Sequence, residues 1–249
     1  MSNLIFLNDK IVKETAGRLS TFDRGFLYGD GLFETLRTYD KKPFRLEDHV
    51  TRISNSAQYF DIPFCYTSQQ IRQIIEQLLT ENNLKDASIR MTLSRGLGVD
   101  GLISTGTDTP TFVIHTKPLA AYPASLYKTG VSLITSHIRR STTCPISCHK
   151  TLNFLTNYLI KREASGKGAH DALILNTDNH IAECAVSNIF VVEKNTVVTP
   201  SLTANVLPGI TRKIVLELCK ENSIHASEEL FGLERILGAN EVFITNSLM

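Results

Sequence analysis

The chain is expected to be a two-domain α/β protein of the α+β kind, and three observations point there. Apolar patterns of period two and of period 3.6 both occur along the chain. The stretch Pro118-Leu119-Ala120-Ala121-Tyr122-Pro123 holds two prolines and no periodicity, which suits a linker. With 249 residues, 42% hydrophobic and 20% charged, the chain can bury one large or two modest cores. The expected division is an N-terminal α/β domain over 1–117, a linker over 118–123 and a C-terminal domain over 124–249.

Leu4 to Leu7 is a short apolar run stopped by Asn8-Asp9, a strand and turn. Gly31 to Tyr39 alternates Leu32, Glu34, Leu36 against Phe33, Thr35, Arg37, a strand. Leu46 to Tyr59 places Leu46, His49, Val50, Ile53 and Ala57 at helical spacing. Ser68 to Glu81 does the same with Ile71, Ile74, Ile75, Leu78 and Leu79, with Ser68 as N-cap. Ala87 to Leu93 and Thr111 to His115 read as strands.

Beyond the linker come a strand (Val131 to Thr135), a loop at Cys144-Pro145 and a helix from Thr151 to Ser165. Strands Asp171 to Asn176 and Ser187 to Val192 flank the turn Thr177-Asp178-Asn179-His180. Pro208-Gly209-Ile210-Thr211 opens a helix through Glu221, and Glu241 to Thr245 is a last strand.

The 26 basic and 25 acidic residues leave a net charge of +1, so no global field favours nucleic acid or an anionic membrane. The start has no basic n-region and its apolar run breaks at Asn8, unlike a secretory signal. No stretch approaches the roughly 18 apolar residues of a membrane span. The odd, irregular set Cys65, Cys144, Cys148, Cys184 and Cys219 suggests reduced thiols and a cytoplasmic home.

Two short segments carry chemistry. Lys150 heads His149-Lys150-Thr151-Leu152-Asn153-Phe154-Leu155, and Glu183 lies within Ile181-Ala182-Glu183-Cys184-Ala185-Val186-Ser187-Asn188-Ile189-Phe190. Pyridoxal phosphate (PLP) chemistry needs both residue types. A desolvated lysine forms a Schiff base with the cofactor aldehyde. A carboxylate keeps the pyridine nitrogen protonated, so the ring can draw electrons. The plainer readings are a surface lysine whose stem lies on apolar neighbours, and a strand-end carboxylate capped by Ser187 or Asn188.

Leu207-Pro208-Gly209-Ile210-Thr211-Arg212 reads as a strand-to-helix turn whose free N–H groups at Ile210 and Thr211 suit an anion. Arg52 shares a helical face with His49 and could grip a phosphate by two parallel hydrogen bonds; the alternative is a solvated arginine. Cys144-Pro145-Ile146-Ser147-Cys148-His149 lacks the second ligand pair of a zinc site, and no metal is expected. Gly166-Lys167-Gly168 lacks the spacing and ending of a phosphate loop.

Taken together, these segments resemble the class IV (fold-type IV) PLP-dependent aminotransferases. The resemblance runs from Asp23-Arg24-Gly25-Phe26-Leu27-Tyr28-Gly29-Asp30-Gly31-Leu32-Phe33-Glu34-Thr35 to Glu241-Val242-Phe243-Ile244-Thr245-Asn246-Ser247, five motifs in order. It implies a small N-terminal α/β domain, a larger barrel-like C-terminal α/β domain, PLP between them, and a homodimer. It implies that Lys150 carries PLP, that Glu183 faces the pyridine nitrogen, and that Arg52, Ile210, Thr211, Asn246 and Ser247 form the phosphate cup. Phe33, Thr35 and Arg95 are the implied substrate residues.

The ending Thr245-Asn246-Ser247-Leu248-Met249 resembles the aminodeoxychorismate lyases of this family, which implies release of 4-aminobenzoate and pyruvate for folate synthesis. Branched-chain or D-amino-acid transamination is the alternative. The chain departs from the pattern twice. Asp100 stands where many members have a second arginine, and the sequence ends at Met249 where relatives continue with Gly-x-x-Pro-Val.

Overall fold

A computed structural model describes residues 3–98, 101–103 and 109–249; Asp100 lies outside the described residues. The chain forms two compact units of nearly equal length. Unit 1 comprises Met1–Ala121, Lys150–Asn153 and Leu248; unit 2 comprises Tyr122–His149, Phe154–Ser247 and Met249.

Unit 1 contains β1 (Leu4–Leu7), β2 (Lys10–Lys13), α1 (Arg24–Tyr28), β3 (Gly31–Tyr39), β4 (Lys42–Pro43), α2 (Leu46–Tyr59), α3 (Ser68–Glu81), β5 (Ala87–Leu97) and β6 (Thr109–Pro118). Its strands run in the order β2-β1-β6-β5-β3-β4, each neighbouring pair antiparallel. Alternation sends Leu32, Leu36, Ile89, Met91, Leu93, Phe112 and Ile114 to one face of the sheet. There they pack with Leu46, Val50, Ile53 and Ala57 of α2 and Ile71, Ile75, Leu78 and Leu79 of α3. Each large aliphatic side chain buried in this way contributes roughly 1.5–3 kcal/mol.

Thr67, not Ser68, caps α3. Its hydroxyl accepts from the Gln70 N–H at 3.2 Å, while Gln70 Oε1 accepts from the Thr67 N–H at 2.8 Å. That reciprocal box needs a Gln three residues after the cap, which Ser68 does not have. Strands β5 and β6 outrun their expected ends, and Pro118 closes β6 opposite Ala87.

Unit 2 contains α4 (Leu126–Thr129), β7 (Leu133–Thr135), a 3₁₀ turn over Pro145–Cys148, α5 (Leu155–Gly166), β8 (Asp171–Leu175), β9 (Ile181–Cys184), β10 (Asn188–Glu193), β11 (Thr196–Pro200), α6 (Ile210–Glu221), β12 (His225–Glu229), α7 (Leu233–Gly238) and β13 (Glu241–Thr245). One sheet has the order β12-β11-β10-β13, the other β7-β8-β9. Strands β11 and β12 run parallel, as do β7 and β8; the remaining pairs are antiparallel. Leu173, Leu175, Ile181, Ile189, Val191 and Val198 form its largest buried cluster. The mixed α/β architecture with several sheets agrees with the expected fold class.

The helix expected from Thr151 begins only at Leu155. The preceding residues are engaged in unit 1: Thr151 bridges to Leu32, the Leu152 N–H donates to Gly31 O at 2.9 Å, and Asn153 Nδ2 donates to Gly29 O at 3.0 Å. Backbone tied to a strand cannot also open a helix. The five cysteines are unpaired. Among the described residues, no helix is long and apolar enough to cross a membrane.

Candidate active site

In unit 1, Lys150 is held against β3. Its carbonyl accepts from the Phe33 N–H at 2.8 Å, and its Nζ lies 4.4 Å from the centroid of the Phe33 ring. The Arg90 guanidinium lies 3.8 Å from the same centroid. Two cations therefore share the ring of a phenylalanine that is only 3% exposed.

Arg90 sits on the sheet face that α2 and α3 leave uncovered. Register pairs Phe33 with Thr92, Thr35 with Arg90, and Arg37 with Ser88; in the next strand, Arg90 pairs with His115 and Ser88 with Lys117. Directly paired residues share a face. The positions Phe33, Thr35, Arg37, Ser88, Arg90, Thr92, His115 and Lys117 thus carry four basic side chains and no acid. Burial, then Lys117 and Arg90, push the His115 imidazole down against a weaker opposite pull from Glu14, so it stays neutral near neutral pH.

The buried face holds a different cluster. Glu34, 1% exposed, accepts from Arg52 Nε at 2.7 Å and Arg52 Nη2 at 2.7 Å, and lies 2.7 Å from His49 Nδ1. Burial alone would raise the Glu34 carboxyl, but Arg52 and His49 together hold it down at about 2. Arg52 and His49 do share a helical face, and that face meets a carboxylate.

Arg95 is engaged within unit 1. Its Nε donates to Asp30 at 2.8 Å, Nη1 to Asp61 O at 2.8 Å and Nη2 to Phe60 O at 2.7 Å. Asp30 also accepts from Arg24 Nε at 3.1 Å.

In unit 2, Glu183 lies inside β9 and is 6% exposed. Oε2 accepts from Asn188 Nδ2 and from the Leu207 N–H, each at 3.3 Å, and Oε1 lies 3.1 Å from Arg140 Nη2. Asn188, one of two residues expected to cap this carboxylate, does so and also donates to Leu207 O at 3.0 Å.

Helix α6 starts at Ile210 with Gly209 as an N-cap that makes no side-chain bond. The first N–H groups of a helix have no intrahelical partner, so Ile210 and Thr211 present donors. A Cβ at Gly209 would stand 1.9 Å from Asn188 Oδ1, so the Asn188 side chain would have to shift. The Thr245 hydroxyl, at the end of β13 and paired in register with Asn188, is buried without a hydrogen-bond partner. Asn246 Nδ2 reaches Ser187 Oγ at 3.3 Å and Tyr122 Oη at 3.4 Å, and Ser247 follows in a turn.

These unit 2 residues fit a phosphorylated pyridine. A buried carboxylate suits a ring N–H, an uncapped helix start suits a phosphate, and the orphaned Thr245 hydroxyl lacks only an acceptor. Within unit 1, the Lys150 amine lies beside the Phe33 ring. Arg90 and Glu34 of unit 1, and Arg140 of unit 2, are residues that sequence reading did not single out.

The sequence matches the amino-transferase class IV family over residues 31–249. It is 35% identical over 244 residues to a Methanocaldococcus jannaschii protein whose name assigns it provisionally to the branched-chain-amino-acid aminotransferases, covering 98% of this chain and 84% of that one. It is 32% identical over 248 residues to the aminodeoxychorismate lyase of Bacillus subtilis, covering 99% and 84%. The branched-chain amino acid aminotransferase of Escherichia coli superposes with a TM-score of 0.94 at 27% identity, covering 100% of this chain and 84% of that structure.

Proposed function

Since the chain belongs to the class IV aminotransferase family, whose members are PLP-dependent enzymes, we propose that it is a 4-amino-4-deoxychorismate lyase releasing 4-aminobenzoate and pyruvate. The observation that carries this reading is the charge of the face beside Lys150. Arg90 offers a cation, Thr35 a hydroxyl, neutral His115 a polar ring and Phe33 an aromatic one. A cyclic substrate with two carboxylates suits such a face. The aliphatic side chain of a branched-chain amino acid would leave those polar groups desolvated and unsatisfied.

Bound PLP withdraws electrons from the carbon that bears the substrate amine. Lys150 holds the cofactor and takes the proton from that carbon, its backbone fixed by the Phe33 N–H. Glu183 keeps the pyridine nitrogen protonated. Ile210, Thr211, Asn246 and Ser247 hold the phosphate together with Arg52, which Glu34 orients. Arg90 receives a substrate carboxylate. The C–O bond to enolpyruvate then breaks and the ring becomes aromatic. Lys150 delivers its proton to the enolpyruvyl methylene, which gives pyruvate.

The test is direct. Purified protein is given aminodeoxychorismate, and 4-aminobenzoate and pyruvate are quantified. In parallel, L- and D-amino acids are supplied with 2-oxoglutarate. Stoichiometric 4-aminobenzoate and pyruvate are expected. Rapid amino transfer from one amino acid, with no 4-aminobenzoate, reassigns the chain to the aminotransferases.

The working form in this reading is a homodimer. Phe22, Phe26, Leu102 and Ile103 of unit 1 are each more than 70% exposed. Arg24 fixes part of this surface by donating to Gly101 O and Leu102 O, each at 2.7 Å. A second copy would cover these side chains. Light scattering should give twice the chain mass of 27.7 kDa.

A further inference from the structure

We propose that Arg140 is a positioning residue that acts through Glu183 and sets how firmly the cofactor's ring nitrogen holds its proton. The inference rests on the reading of Glu183 given above.

Arg140 is locked by its own backbone. It forms a parallel bridge to Asn176, its N–H donates to Leu175 O at 2.9 Å, and its carbonyl accepts from the Thr177 N–H at 2.9 Å. The guanidinium is therefore delivered to Glu183 Oε1 at 3.1 Å from the end of β8. Both side chains are almost removed from water, at 12% and 8% exposure.

A carboxylate so placed serves two cations at once. Without Arg140, its whole charge would fall on the pyridinium N–H, and each of that pair would hold the other's proton state. With Arg140, the buried charge is shared. The second cation also repels a proton on the ring, across a medium of low dielectric. Arg140 thus keeps Glu183 ionised while loosening the ring proton.

The thiols of Cys148 and Cys184 also feel the Glu183 charge. Burial, with Glu183 adding to it, pushes Cys148 up; burial, then Asp171 and Glu183, pushes Cys184 well up. Both stay neutral at working pH, and Lys161, which opposes the rise of Cys184, is paired with Asp171 at 3.5 Å. The guanidinium meets Glu183 directly. Cys148 itself bonds Asn205 Oδ1 at 2.6 Å, which holds its sulfur in place.

The experiment loads the protein with PLP labelled with ¹⁵N at the ring and follows the nitrogen shift with pH. Arg140→Gln removes the charge and keeps an amide donor. It should raise the ring-nitrogen midpoint by about one unit, the scale of one neighbouring charge. Arg140→Lys should return the midpoint at least half way to the native value. Arg140→Met replaces the glutamine variant if that chain does not fold, under the same criteria. A midpoint unchanged in the neutral variant, or moved equally by lysine, overturns the role of Arg140. Glu183→Gln separates the two readings. If it leaves the nitrogen shift unchanged, the assignment of Glu183 fails; if it moves the shift while Arg140→Gln does not, only the Arg140 proposal fails.

Discussion

The carbonyl of Lys150 accepts a hydrogen bond from the Phe33 N–H at 2.8 Å, so the lysine is seated on β3 although most of its sequence neighbours belong to unit 2. Phe33 lies within β3, and Lys150 lies in the irregular segment between the Pro145–Cys148 turn and α5. The backbone that carries Nζ is pinned to β3 by this hydrogen bond and by the bridge of Thr151 to Leu32, and placement of that kind limits the freedom to be lost when a reacting group must be aligned.

Borohydride treatment of the PLP-loaded protein should fix the pyridoxyl group on the peptide that contains Lys150. Lys150→Ala should lower turnover by about 100- to 10,000-fold, the usual worth of a positioned acid–base group. Peptide mapping by mass spectrometry decides the first point; label on another lysine rules the assignment out.

Glu183→Gln should retain PLP and lose roughly 100- to 1000-fold in turnover, because an amide cannot hold the pyridinium proton. Steady-state kinetics at saturating PLP measure this. An unchanged turnover number removes Glu183 from the cofactor.

Arg90→Gln should cut kcat/KM for aminodeoxychorismate about 10- to 100-fold, mostly through KM, with PLP affinity unchanged. A hydrogen bond to a charged group contributes roughly 1.5–3 kcal/mol. If only PLP binding weakens, Arg90 belongs to the cofactor and not to the substrate.

Glu34 is held at about 2, below its ordinary 4.5, by Arg52 and His49 against burial. A lowered carboxyl stabilises the fold fully above pH 4.5, and that contribution fades as pH falls towards 2. The shift corresponds to about 3 kcal/mol. Glu34→Gln should cost about 3–5 kcal/mol at pH 7, since it leaves Arg52 buried without its counter-charge. Urea unfolding at pH 7 and at pH 3 should show a smaller difference for the variant than for the native chain.

Gly209→Ala should displace Asn188, whose Oδ1 lies 1.9 Å from the added Cβ, and disturb the start of α6. PLP affinity, read by fluorescence titration, should fall about tenfold or more, as when a charge-assisted bond is lost. Affinity equal to native would separate this turn from the phosphate.

Local pattern carried the long helices and eight strands, because α2 and α3 bury one face each and β3 alternates cleanly; the short helices α1, α4 and α7 and the strands β2, β4, β9, β11 and β12 were not anticipated. The resemblance brought Lys150, Glu183 and Ile210-Thr211 into view. Arg90 stayed hidden because its significance comes from Phe33, a partner two motifs away in sequence and adjacent only through β3–β5 pairing. Arg140 is hidden for the same reason, since its carboxylate lies on another strand. Glu34 left a trace: the set Leu32, Glu34, Leu36 puts a carboxylate among leucines, and a charge there must find a partner. The start of α5 was misplaced because nothing local shows that Thr151 and Leu152 pair with a distant strand.

Because Lys150–Asn153 complete unit 1 while the residues on both sides belong to unit 2, no continuous fragment contains all of unit 1 and nothing else. During synthesis, the first 121 residues leave the ribosome without the strip that bridges to Leu32 and without Asn153, 124 positions from its acceptor Gly29. Lys150 thus joins its sheet late, after Tyr122–His149, the first stretch of unit 2, has been made. A gene cut at the proline-bearing stretch would yield a first fragment lacking its lysine, and activity from two separate pieces would require that strip to be restored in trans.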